Sequence, residues 1–210
     1  MNSWNLLGLV AWLLVLAYLG FVVWNIRQRH LKMLVVLRQQ HSVKTVLIDC
    51  LEVLLLAVVF YGMAWVTWLR QPDYSDRSAL KVTYNYANLV LQTDSDRSYY
   101  VSVTSGNGKH PVHYYTYWTH GAKYQISSRN ADVSDATDAL TVRASAYPWS
   151  TKQLAKLEKT QEKAYVATYI GTYKPTFLNG LGLRVGRTAQ RFSLIRIPND
   201  TFQKVVSAHD

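Results

Sequence analysis

The sequence predicts a membrane α-helical hairpin of two transmembrane helices, followed by a C-terminal α+β domain that is mostly antiparallel β. Three observations carry this. Val53–Leu69 is an uncharged apolar run that ends in Trp65, Trp68 and Arg70. Trp4–Ile26 is a second uncharged run, of 23 residues. After residue 79 the pattern changes to alternating apolar and polar positions, rich in tyrosine, as half-buried strands require.

Trp4–Ile26, as a helix, is about 35 Å long, enough to cross a hydrocarbon core of about 30 Å. Trp4 and Trp24 bracket it in the manner of interfacial tryptophans. Met1–Ser3 carry no basic side chain and no small-x-small site follows the run, so it reads as a retained anchor rather than a cleaved signal peptide. Residues 27–45 follow, with Arg27, Arg29, Lys32, Arg38 and Lys44, and an apolar stretch, LKMLVVL, able to prolong the helix. The positive-inside rule places this loop in the cytoplasm and both the N-terminus and the C-terminal domain outside. The organisation expected is a membrane anchor over 1–69 (spans about 4–26 and 46–69), a linker over 70–79 and an extracytoplasmic domain over 80–210.

Asp49 and Glu52 are three residues apart at the start of the second span and share one helix face. Ionisable groups in a span invite an intramembrane or partner role. The plainer reading is an interfacial pair that reaches water or a basic neighbour such as Lys44 or Arg38.

The net charge is +10. Residues 1–69 hold five Lys/Arg against two acids and residues 70–210 hold eighteen against eleven, so the outer part is basic. An excess of this sign suits anionic partners: wall polymers, lipid head groups or, in a cytosolic setting, nucleic acid. The only cysteine is Cys50, which rules out an intrachain disulfide and a thiolate zinc site.

In the outer domain, Leu80–Tyr86 and Leu89–Gln92 read as strands. A meander follows: Tyr99–Thr104, a turn at Asn107-Gly108, Val112–Thr119 and Lys123–Ser127. Alternation sends Tyr114 and Trp118 to one face and Tyr115 and Tyr117 to the other, so one set fills the core and the other forms an aromatic ledge suited to sugars or bases. Ser128–Asp138 reads as turn and Leu140–Ala146 as a strand. Ser150-x-x-Gln153 has capping-box spacing for an amphipathic helix with Leu154 and Leu157 inward. Tyr165–Tyr173 alternates as a further strand. Leu181, Leu183 and Val185 alternate with Gly182, Arg184 and Gly186, and the run pairs with Phe192–Ile197 as a C-terminal hairpin. Asn199 or Asp200 is placed to cap a short helix over 201–207.

That hairpin carries Arg184, Arg187, Arg191 and Arg196 with no acid among them. Guanidinium groups bind phosphate through paired hydrogen bonds, so these four are the candidate residues for docking onto an anionic polymer or lipid surface. The bland alternative is a solvated hairpin that protects an edge strand. His110, His113 and His120 do not converge on an extended strand, and no nucleotide-binding or hydrolase motif is present, so no metal, cofactor or catalytic residue is assigned.

The start MNSWNLLG, the two-span layout and the segment NGLGLRVGRTAQRFSLIRIP resemble a family of small, uncharacterised two-pass membrane proteins of lactic acid bacteria. The resemblance implies a Gram-positive plasma membrane and supplies no catalytic residue. The leading expectation is a non-enzymatic, membrane-anchored envelope protein whose basic domain binds an anionic surface, wall component or protein partner. Two rivals are an accessory subunit of a larger membrane complex, with Asp49 and Glu52 at the contact, and an envelope enzyme with an unrecognised site.

Overall fold

A computed structural model describes residues 2–37, 43–106, 112–135 and 137–206. The turn at Asn107-Gly108, His110, Arg38 and His41 lie outside the described residues. The chain forms two compact units: Met1–Pro72 with Tyr173–Arg187, and Asp73–Thr172 with Thr188–Asp210.

The first unit is built on α1 (Asn5–Lys32) and α2 (Val43–Ala64), each extended by a wider π-helical turn, Met33–Leu37 and Trp65–Leu69. As continuous apolar helices they run Asn5–Val35 and Val43–Leu69, both long and apolar enough to cross a membrane. Most of their leucines and valines point away from the protein, among them Leu14, Leu16, Leu47, Leu54 and Val58. That is the solvation expected when lipid, not protein, covers the helix. The first helix does not stop at Ile26: Arg27, Arg29 and Lys32 remain helical, and LKMLVVL does prolong it.

In the second unit, the strands are β1 (Leu80–Asn88), β2 (Gln92–Thr93), β3 (Ser98–Tyr99), β4 (Val101–Ser105), β5 (His113–Thr119), β6 (Ala122–Ser127), β7 (Ala131–Ser134), β8 (Tyr165–Tyr173), β9 (Thr188–Arg196) and β10 (Gln203–Val206), with one longer helix, α3 (Thr151–Thr160). One sheet has the order β1-β8-β9-β7 and a second has β10-β4-β5-β6; β2 and β3 form a separate ribbon. The pairs β8/β9, β4/β5 and β5/β6 are antiparallel. The edge strands β7 and β10 join in parallel, through the registers Val133↔Ile195 and Lys204↔Ser102.

The first sheet lies in the middle of three layers. On one face Val166 and Ile195 meet Val101, Val103 and Tyr117 of the second sheet. On the other, Tyr165, Tyr169, Phe192 and Leu194 meet Trp149 and Leu154 beneath α3. β8 and β9 are therefore covered on both faces, and Tyr165–Tyr169 is buried without interruption where alternation alone predicts a half-exposed strand. Small residues, Ala167 and Ser193, sit between the large ones and let both layers close. Leu154 is the only fully buried side chain of α3, so the helix is held by one main anchor worth a few kcal/mol.

Several local expectations change in tertiary context. Ser150 does occupy the position before α3, but its side chain makes no cap bond, and Gln153 instead accepts a hydrogen bond from the Tyr86 hydroxyl at 2.7 Å. Leu140–Ala146 is not a strand. The Thr141 hydroxyl takes the Ala144 N–H at 3.2 Å and donates to Asp132 at 2.6 Å, which folds the stretch into a turn ending in a 3₁₀ helix. The reverse holds for 128–138, read as turn, where β7 forms against β9. Asn199 does cap a short 3₁₀ turn, accepting from Thr201 N–H at 3.1 Å, but no terminal helix follows, because β10 pairs with β4 instead.

Candidate functional site

Asp49 and Glu52 meet a polar face of α1. Asn25 and Arg29, four apart, lie on one side of that helix and reach the two acids across the pair. Arg29 donates to Asp49 Oδ1 at 2.5 Å and, through its other terminal nitrogen, to Glu52 Oε1. Asn25 Nδ2 donates to the same Glu52 oxygen at 2.9 Å, and His30 Nε2 lies 3.1 Å from Asp49 Oδ2. Among the described residues, the acids thus find their basic partner in Arg29 of the first helix. One guanidinium serves two carboxylates, and Glu52 Oε2 is buried without a hydrogen-bond partner among the described residues.

The four arginines do not form one surface. Leu181–Val185 is not a strand: it ends the short helix α4 (Phe177–Leu181) and turns at Leu183, whose φ of 59° lies in the left-handed region. Arg184 is folded onto the end of the second membrane helix. Its Nε and one terminal nitrogen donate to Thr67 O at 3.2 and 2.8 Å, and the other donates to Arg70 O at 2.6 Å. Those carbonyls are among the last of a helix and have no intrahelical partner, and a cation complements the negative end of the helix dipole. Arg196 is fully buried beneath α3, where it donates to Glu158 at 2.8 Å and to the Ser134 hydroxyl at 3.0 Å. Arg187 and Arg191 are exposed. Regrouping the chain by unit also moves the charge. The membrane unit holds nine Lys/Arg against two acids, and the sheet unit fourteen against eleven.

The contact around Arg184 rests on three glycines, of which the sequence reading put only Gly182 on a strand. A Cβ on Gly8 would stand 2.5 Å from Leu181 O, one on Gly180 2.5 Å from Trp4 O, and one on Gly182 2.9 Å from Val66 O. Asn5 adds a two-way pairing, donating to Val185 O at 3.2 Å and accepting from Val185 N–H at 3.1 Å. The two stretches quoted for the family resemblance, at the N-terminus and around residue 180, are the ones that meet here.

The outward face of the second sheet carries a different constellation. Tyr115 and Tyr117 turn inward against the core, while Tyr114 and Trp118 lie on the opposite face, with Thr116 buried between them and Ser102, Thr104 and Gln125 on neighbouring strands. Trp118 meets Tyr99 edge to face at 6.2 Å. The Lys123 ammonium lies 5.4 Å over the Trp118 ring and that of Lys204 5.5 Å over Tyr99. Lys204 is ion-paired with Asp94, and their hydrogen bond holds that carboxyl below its ordinary range and raises the lysine. Lys123 makes no salt bridge among the described residues. The face thus offers apolar rings, hydroxyls and one uncommitted cation.

A cleft of about 330 Å³ beside α3 is lined by Asp138, Leu140, Thr151 and Glu158, with Glu158 already held by Arg196. His113 is hydrogen-bonded to Ser105 at 3.0 Å, His120 is exposed, and no group of three metal-ligating side chains occurs among the described residues. A family model matches residues 3–204, nearly the whole chain; its name derives from a locus of a lactic acid bacterium and carries no activity. No curated protein and no solved structure matches the chain.

Proposed function

For a chain that belongs to this lactic-acid-bacterial family, matched over residues 3–204, we propose a membrane-anchored envelope protein whose sheet unit binds an anionic wall polymer outside a Gram-positive cell. The observation that carries this reading is the outward sheet face, where Lys123 and Lys204 sit over the Trp118 and Tyr99 rings. An exposed cation–π contact is worth only about 0.5–1 kcal/mol, so an arriving anion draws the lysine off and leaves the ring to the apolar face of a sugar. Ser102, Thr104 and Gln125 are the hydroxyl and amide partners for its ring hydroxyls. The bilayer is the other partner. The basic residues of 27–45 support a cytoplasmic loop, with the N-terminus and the sheet unit outside, where nucleic acid is not met.

The test uses full-length protein in detergent against Gram-positive wall fragments, before and after mild acid extraction of their anionic polymers. Native fragments should retain it, stripped fragments should not, and Trp118→Leu or Lys123→Gln should weaken retention several-fold. Equal binding to stripped fragments would remove the anionic polymer from the proposal. An exported-side reporter fused after Asp210 should be active, and the same reporter near Gln39 silent.

One observation favours a second reading, an accessory subunit: the buried, unpartnered Glu52 Oε2 is an acceptor for a donor on another membrane helix. Glu52→Gln would then abolish co-purification of a second membrane protein in mild detergent at unchanged abundance.

A further inference from the structure

Residues 173–187 lie in sequence between two strands, yet they carry the marks of a segment that lives at the membrane surface. Their level is fixed by their partners within the membrane unit. Gly180 and Val185 pack on Trp4 and Asn5, and Arg184 reaches Thr67 and Arg70. The polar cluster of Asn25, Arg29, Asp49 and Glu52 marks the opposite end of the same helices. From Asn25 back to Asn5 is about 30 Å of helix, and from Glu52 on to Thr67 about 22 Å. Along α1 the apolar layer between the two polar ends therefore matches a hydrocarbon core of about 30 Å, with 173–187 at its edge; along α2 it is shorter by about 8 Å.

Two further properties fit that position. α4 exposes Phe177 and Leu178, 62% and 46% accessible, at the end of the helices where Trp4, Trp65 and Trp68 are also exposed. Much of the irregular backbone is satisfied from within. Gly180, Gly182, Leu183 and Arg184 N–H groups bond to Thr176, Leu178, Gly180 and Asn179 carbonyls, and Gly186 and Tyr173 bond across the segment's ends. Val185 N–H goes to the Asn5 side chain and Asn179 N–H to the Thr176 hydroxyl. A loop in water has less need of such internal pairing, because solvent supplies missing partners; a segment in the interface gains from it. The segment holds Lys174, Arg184 and Arg187 and no acid, so nothing in it repels lipid phosphate.

We propose that 173–187 is an interfacial membrane element, with α4 placing Phe177 and Leu178 among lipid chains just below the head groups. This rests on the reading that α1 and α2 span a bilayer, and the experiment separates the two. In full-length protein with Cys50→Ser, single cysteines Phe177→Cys, Val58→Cys and Val142→Cys are labelled with an environment-sensitive fluorophore and reconstituted in phosphatidylcholine–phosphatidylglycerol vesicles. Lipids carry a nitroxide quencher either near the head group or deep in the chain. Position 177 should be quenched at least twofold more by the shallow label than by the deep one. Position 58, midway along α2, should show the reverse order, and position 142, in the sheet unit, neither. If 177 matches 142 while 58 is quenched from the deep label, the interfacial element is wrong and the span stands. If 58 is not quenched by either lipid, the span reading fails and this inference with it.

Discussion

Removing Glu158 should damage the protein more than removing Arg196, although the two form one ion pair. The reason is unequal burial. Arg196 has no solvent access, whereas the Glu158 side chain retains 24%. In Glu158→Ala the guanidinium keeps, among the described residues, only the Ser134 hydroxyl at 3.0 Å and the Thr137 carbonyl at 3.5 Å, in a fully buried setting opposite Tyr165 of the neighbouring strand. Stranding one member of a buried pair costs about 3–5 kcal/mol. In Arg196→Met the acid turns into water, methionine fills most of the space, and the loss is the hydrogen bonds to the Ser134 hydroxyl and the Thr137 carbonyl and some packing, about 1–2 kcal/mol. For a unit of about 120 residues, each kcal/mol moves the melting temperature by roughly 3–6 °C. Thermal denaturation of the full chain in detergent, followed by β-sheet circular dichroism, should show Glu158→Ala melting roughly 9–30 °C lower and Arg196→Met roughly 3–12 °C lower. The reverse order would refute the claim that buried charge, rather than packing, sets the cost. If Arg196→Met melts like wild type and loses wall binding, Arg196 acts at a surface and its burial is wrong.

Other outcomes follow from single contacts. Arg187→Gln and Arg191→Gln, at exposed positions, should change stability by no more than about 0.5 kcal/mol in the same melting assay. The Tyr165 hydroxyl is buried without a partner among the described residues, so Tyr165→Phe should stabilise by about 1 kcal/mol. Tyr169→Phe should cost about as much, since its hydroxyl donates to Tyr74 O at 3.1 Å. Burial pushes both phenols up to about 12 from 10, so the folded state holds their protons more tightly. The stability they contribute is whole below pH 10 and lost as pH rises through about 12, and tyrosinate absorbance during alkaline titration should show them ionising only with unfolding. Gly8→Ala drives a methyl onto Leu181 O, whereas Gly20 has nothing within 4 Å of the same position. Gly8→Ala should expose 173–187 to limited proteolysis and Gly20→Ala should not. Arg29→Met strands two carboxylates at the membrane edge and should lower abundance in membranes, and adding Asp49→Asn and Glu52→Gln should restore it.

The sequence by itself determined what depends on near neighbours along the chain. Uninterrupted apolar runs marked both membrane helices, because lipid demands a continuous apolar surface over a fixed length. Period two placed the β4–β5–β6 meander and sorted Tyr115 and Tyr117 from Tyr114 and Trp118, because a strand's faces alternate whatever it packs against. Asp49 and Glu52 shared a face because helix geometry fixes that spacing, but the identity of their partner depended on how α1 lies against α2. Tertiary structure alone decided the rest. The continuous burial of Tyr165–Tyr169 comes from a second layer that alternation cannot report. Leu181-Gly-Leu-Arg-Val looks like a strand locally. It becomes a turn because Asn5 and Thr67, 180 and 117 residues away from the positions they bind, satisfy its polar groups, and because glycines allow backbones to meet. Arg184 and Arg196 read as surface charges for the same reason. A charge is drawn inward only by a partner, helix-end carbonyls for one and Glu158 for the other, that lies far off in sequence and becomes a neighbour only when the chain has folded.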